Sequence, residues 1–174
     1  MSIVKRIEIG LNILHYVLYR FDRRLHLWSN RINPVMLLGK IPRIKQNLQK
    51  QNTTLDEVTN TIWLHEVNGF GILIAGVITA LLVTILLWTF LLTLNQLVFH
   101  SKLPKVEVPI LTCFFLAYAL VHYLVWRKNK YLHYFEEFKK WTKKEKRKYK
   151  LYCGLFIAFS MVCLVLSFKL LPKL

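Results

Sequence analysis

Acidic side chains are scarce in this chain. Nine Asp and Glu stand against 25 Lys and Arg, a formal charge of +16 over 174 residues. None lies between Glu66 and Glu107, and none follows Glu145. Paired carboxylates for general acid–base chemistry therefore have few possible sources. The long apolar runs hold none of the ionisable groups that mark ion and proton relays, which argues against a pump or coupled transporter. Cysteine is also rare. Cys113, Cys153 and Cys163 show no CxxC spacing, which excludes a zinc ribbon, a thioredoxin-type redox pair and a disulfide-built scaffold. Each lies in or beside an apolar run and reads as a small packing residue. Cys153, near a basic edge, is the best placed of the three for acylation. Six glycines and five prolines exclude collagen-like or low-complexity chains.

The usual signatures of catalysis are missing as well. There is no GxGxxG, GxxxxGK[ST] or GxSxG, and none of the six histidines has HExxH spacing. No cofactor, metal or small-molecule substrate is implied, and the expectation is a non-enzymatic protein. His65, His122 and His133 are the one histidine set that could gather near a single interface. A lipid-acting enzyme built on them is the weakest of the functional classes considered.

What the chain does have is apolar length. Hydrophobic residues make up 55% of it and aromatics 14%, too many for disorder. Val67 to Ser101 carries no charge. A bilayer core of about 30 Å needs roughly 20 apolar residues in a helix, so a first span is expected at about 70–94. A second is expected at about 108–126, between Glu107 and Arg127, with Trp126 as the interfacial aromatic at its end. A third follows at about 151–168, with Lys169 able to snorkel at the far side. The fold class is thus an all-α integral membrane protein with three transmembrane helices. The N-terminal region and the second connection supply amphipathic cytoplasmic helices.

The segments are 1–66, a cytoplasmic amphipathic helical region; 67–101, the first span; 102–126, a short outer loop and the second span; 127–150, a basic, aromatic cytoplasmic loop; and 151–174, the third span and a short outer tail. Lys5, Arg6 and Glu8 interrupt the N-terminal run and argue against a cleavable signal peptide. Ile3, Ile7, Leu11, Leu14, Leu18, Phe21, Leu25 and Trp28 recur at three and four, the spacing of one helical face. Lys5, Glu8, Asn12, His15, Arg23 and His26 lie largely opposite. Such a helix suits the interface plane of a membrane, or packs on protein. Asn33-Pro34, Gly39 and Pro42 break the pattern. Residues 43–66 keep a loose heptad spacing. Thr54-Leu55-Asp56-Glu57 has capping-box form and starts a helix expected to run through Trp63 into the first span, with Gly69 and Gly71 as a bend. Asn52-Thr53-Thr54 matches a glycosylation sequon, which the orientation below places on the cytoplasmic side. Thr142-Lys143-Lys144-Glu145 is a second capping box, leading into the third span. Between Arg127 and that box, Tyr131, Tyr134, Phe135, Phe138 and Trp141 form an aromatic stripe, expected as a second interfacial helix.

Positive residues set orientation. Residues 1–66 hold ten, the first connection two, the second eleven and the tail two. The positive-inside bias puts the N-terminus in the cytoplasm and the C-terminus on the opposite side. Arg127, Lys128, Lys130, Lys143, Lys144, Lys146, Arg147, Lys148 and Lys150 are the expected contacts to lipid headgroups. Their partner is anionic phospholipid rather than nucleic acid, because the accompanying aromatics fit a membrane edge. Gly71, Ala75, Gly76 and Ala80 form a small-residue stripe suited to close helix packing in lipid. Other membrane proteins or a second copy of the chain are the expected protein partners. The leading expectation is a subunit, scaffold or regulator of a membrane assembly. The alternative is a small oligomeric pore-forming or membrane-perturbing protein, with Thr79, Thr84, Thr89 and Thr93 as its polar face.

Overall fold

The computed structural model of the chain describes residues 1–30, 32–67, 69–99 and 107–170. Among them the regular structure is helical, with no strand. The α-helices are α1 (Ile3–Asn30), α2 (Pro42–Lys50), α3 (Leu55–Leu64), α4 (Phe70–Leu94), α5 (Glu107–Val121), α6 (Lys130–Lys139) and α7 (Lys143–Leu170). A 3-10 segment, Pro34–Lys40, follows the Asn33-Pro34 break. Three helical stretches, Phe70–Leu97, Pro109–Lys139 and Lys143–Leu166, are long and apolar enough to cross a membrane, consistent with a multi-pass membrane protein. The first connection with Lys102 and Lys105, the Lys169 side chain and the residues after Leu170 fall outside the described residues.

Both capping boxes form. The Glu57 N–H donates to Thr54 Oγ1 at 3.2 Å, and the Thr54 N–H donates to Glu57 Oε2 at 2.8 Å. The same reciprocal pair joins Thr142 and Glu145 at 2.8 and 3.3 Å. Each satisfies two N–H groups that a helix start leaves without partners.

As the capping box predicts, a fresh helix begins at Leu55: α2 stops at Lys50, and Asn52 takes a left-handed φ of 49° before α3 begins. The structure departs from the sequence reading at the other end, because α3 does not run into the first span. It ends at Leu64, where His65 turns extended (ψ 125°), and α4 begins at Phe70. Gly69 makes the turn possible. A Cβ there would press on the backbone carbonyls of Trp63 and His65, so the break between the helices closes over a residue with no side chain.

The second span also ends in a particular way. Its last turn, His122–Trp126, widens to a π-helix. Lys128 and Asn129 then both take left-handed φ, 58° and 53°. That conformation is natural for Asn and unfavourable for Lys, and it turns the chain sharply into α6.

Contacts divide the chain into two units, Met1–Val17 with Gly76–Leu174, and Leu18–Ala75. In the first, Trp88 and Leu92 of α4 pack on Cys113 of α5. The Thr89 hydroxyl donates to the Cys163 carbonyl of α7 at 3.2 Å. Residues 5–16 of α1 lie on the aromatic face of α6. In the second unit, the end of α1 packs with α3 around Trp63.

Candidate functional site

The polar face of α1 is buried. Glu8, Asn12, His15, Tyr19, Asp22 and His26 recur at alternating steps of four and three. Glu8, Asn12, His15, Tyr19 and His26 are buried, and Asp22 is half-buried. On the opposite side Ile3 is 77% exposed, Phe21 63% and Trp28 59%. Leu11, Leu14, Tyr16 and Leu18 are buried beside this seam, so the middle of α1 is covered on both its polar and its apolar side, and its large apolar side chains face outward only toward the two ends.

In the first unit this seam meets α6. Glu8 sits at the centre. Its Oε1 accepts from Lys5 Nζ at 3.1 Å and from the Tyr134 hydroxyl at 2.8 Å, and its Oε2 accepts from Lys130 Nζ at 3.2 Å. The ring closes because Lys5 also donates to the Tyr134 oxygen at 2.7 Å. Burial pushes the Glu8 carboxyl up. The bonds from Tyr134, Lys5 and Lys130 outweigh this and hold it below its ordinary value. Bonds to Tyr134 and Glu8 raise the Lys5 ammonium. Both groups stay charged, with both carboxylate oxygens occupied. This is a latch between α1 and α6 rather than a proton-transfer site.

One turn on, Asn12 Nδ2 donates to the Glu8 carbonyl at 2.8 Å and the Leu124 carbonyl at 3.1 Å. Leu124 lies in the last turn of the second span, where carbonyls lack helical partners. Asn12 caps that turn from another helix. His15 and Tyr16 then pack on aromatic rings of α6, with centroids 5.6 Å apart for His15–Phe135 and 4.9 Å for Tyr16–Phe135. The aromatic stripe expected at the membrane interface is thus mostly buried in protein. Tyr131, Tyr134, Phe135 and Phe138 are at most 6% exposed.

In the second unit the seam makes a separate polar cluster. Trp63 Nε1 donates to Asp22 Oδ2 at 2.8 Å, and the His26 ring stacks on Trp63 at 4.7 Å and 3°. His26 and Asn30 both reach Asn60 Oδ1 at 3.3 Å. Asp22, His26, Asn30, Thr59 and Trp63 border a cleft of about 260 Å³.

The residues singled out in the sequence are dispersed. Arg127 is exposed, its guanidinium 4.9 Å over the Tyr123 ring. Lys128 is exposed in the tight turn. Lys130 is half-buried on Glu8 rather than facing outward. Lys143, Lys144, Arg147, Lys148 and Lys150 are exposed on the first two turns of α7, while Lys146 is half-buried and donates to the Lys139 carbonyl at 3.0 Å. Gly71, Ala75, Gly76 and Ala80 are all buried. A Cβ on Gly71 would meet the Asp22 carboxylate at 3.0 Å, and one on Gly76 would collide with the Trp126 indole. Trp126, expected at the lipid interface, is half-buried over Gly76. Thr84, Thr89 and Thr93 donate to carbonyls of their own helix at 2.8 to 2.9 Å. His122 stacks near Tyr118 at 6.2 Å, His133 pairs with Glu137 at 3.3 Å, and His65 is exposed. Among the described residues, no three His, Cys, Asp or Glu side chains converge to hold a metal.

The latch was missed because its charges were read as the solvent face of an amphipathic helix. The signal that could have found it is the heptad-like recurrence of polar residues from Glu8 to His26, a seam rather than a scattered face. Comparison with protein-family models, curated proteins and solved structures finds no match.

Proposed function

We propose that this chain is a non-enzymatic integral membrane subunit or scaffold, seated on anionic lipid by its basic second connection and joined to other membrane proteins. The observation that supports it is the outward apolar side chains at the two ends of α1. Its polar residues are engaged within the chain, leaving Ile3, Phe21, Leu25 and Trp28 outward. A row of large apolar side chains at that exposure needs a lipid or protein surface to cover it. The exposed cations at the start of α7 favour the headgroup layer beside it. In this reading the N-terminus and second connection share the cytoplasmic side, and the C-terminus lies across the membrane.

The test is the mass and composition of the full-length protein extracted in mild detergent. A complex of fixed stoichiometry with other membrane proteins is expected. Phe21→Glu with Trp28→Glu should dissociate it while leaving helix content unchanged. A clean homo-oligomer that conducts ions in liposomes would replace this reading with the pore-forming one. The threonine hydroxyls already bonded within α4 give that alternative no added support.

A further inference from the structure

The first unit carries an apolar groove of about 380 Å³, bordered on α1 by Ile7, Gly10 and Leu14 and on α7 by Tyr149, Cys153 and Phe156. We infer that this groove holds one acyl chain of an anionic phospholipid, with the phosphate at Lys146. The inference rests on the membrane reading above and assigns one of its lipid contacts to a place.

Three observations point to that occupant. The first is Gly10. Glycine weakens a helix interior relative to alanine, so it is usually kept where a backbone or side chain comes close. Here nothing lies within 4 Å of where a Cβ would stand. No packing within the chain uses the space, and Gly10 opens directly onto the groove. The second is lining. The groove is bordered by aliphatic and aromatic side chains, with Tyr149 and Tyr152 carrying the hydroxyls, and its volume is within the usual range of small-molecule pockets. The third is charge. Lys146, Tyr149, Cys153 and Phe156 follow one another at three and four on one face of α7. An ammonium therefore stands one turn before the apolar wall, with Lys143, Lys144, Arg147 and Lys148 exposed nearby. Lys146 donates to the Lys139 carbonyl and keeps two further N–H groups for a phosphate. The wall continues into the third apolar stretch. A lipid headgroup at the basic end with its chain running toward Phe156 matches the direction in which α7 becomes apolar.

Photolabelling tests this. Full-length protein would be reconstituted in zwitterionic vesicles containing a minor fraction of anionic glycerophospholipid with a diazirine on one acyl chain, then mapped by peptide mass. Label is expected on 7–14 and 149–156. Gly10→Phe should reduce it at least tenfold, and Gly10→Ala, a single methyl in open space, should reduce it partly with folding intact. Lys146→Gln should lower labelling by the anionic probe about fivefold, the factor for one cation near a charged surface. A zwitterionic probe with the same chain, which carries the phosphate but no net charge, should fall by less. Label spread evenly over the outer faces of α5 and α7, indifferent to Gly10→Phe, would overturn the site. So would intact-mass detection of an acyl thioester on Cys153, or cross-links joining two copies through position 10. None of these results would touch the subunit reading, which the mass of the detergent-extracted complex decides separately.

Discussion

Glu8 shows how one carboxylate can set the behaviour of a helix. It is 9% exposed as a residue and would be costly to bury alone. Two ammoniums and a phenol around it make the charged form the favoured one. Its folded pKa lies below the ordinary 4.5. Its contribution to stability is therefore complete above that value and is lost as pH falls through the lower, folded value. Glu8→Gln should cost about 2 kcal/mol, the scale of a charge-assisted bond network losing its acceptor. It should also flatten the acid limb of the unfolding curve, read by tryptophan fluorescence in nanodiscs between about pH 3 and 6. A variant with unchanged acid sensitivity would show that the latch does not hold α1. Gly76 is the second sensitive residue. Its missing Cβ is where the Trp126 indole lies, so Gly76→Leu overpacks and should cost roughly 1–3 kcal/mol. Trp126→Ala in the same chain should recover part of that loss, because the two changes act on one contact. Additive effects in a double-mutant cycle would place the cost elsewhere.

Among the helices, the capping boxes have the most local cause and the clearest test. Thr54 and Glu57 act on exposed backbone, and the bonds from Thr54 hold the Glu57 carboxyl below its ordinary range. Thr54→Ala should destabilise α3 by about 1 kcal/mol, seen as faster amide exchange in the first turn with α4 unaffected. Exchange that rises equally in α4 would mean that α3 and α4 behave as one element. These boxes, the three apolar stretches and the start of α7 were legible in the sequence because their signals are local: a threonine three residues before a glutamate, or an unbroken apolar run. The break at His65–Gly69 was less legible. Apolar residues continue on both sides of it, and the turn depends on carbonyls of Trp63 and His65 that only the folded backbone brings to Gly69. The inward polar seam of α1 was hidden for a related reason. Periodicity separates two faces of a helix but does not say which is covered, and Ile3 to Trp28 invited the usual assignment. The long-range bonds decide it, Asn12 to the Leu124 carbonyl and Glu8 to Tyr134 and Lys130, each joining residues more than a hundred apart.

At the scale of the whole molecule, charge asymmetry and apolar length make a joint prediction about sidedness. Residues 1–66 and 127–150 hold 21 of the 25 Lys and Arg. If all three stretches cross, those two parts lie on one side and the C-terminus on the other, the arrangement the positive-inside bias predicts. The packing of α1 on α6 adds a constraint independent of charge. Lys5, Glu8 and Asn12 bond to Tyr134, Lys130 and Leu124, which requires the N-terminal region and the second connection to share a compartment. An arrangement that separated them would break the latch and leave Glu8 without its partners. The chain carries its own reporter, since Asn52-Thr53-Thr54 is a sequon and Asn52 is exposed in the turn before α3. In translation with microsomes this site should remain unmodified, because transfer occurs only on the lumenal side, whereas a sequon appended after Leu174 should be glycosylated. Modification at Asn52 would reverse the orientation. Modification at both sites would remove one of the three crossings. Replacing Lys143, Lys144, Lys146, Arg147, Lys148 and Lys150 with Gln should weaken the bias without abolishing it, because ten positive residues remain before the first span. A mixed population of glycosylated and unmodified C-terminal reporters is the outcome that charge-directed insertion predicts for that variant.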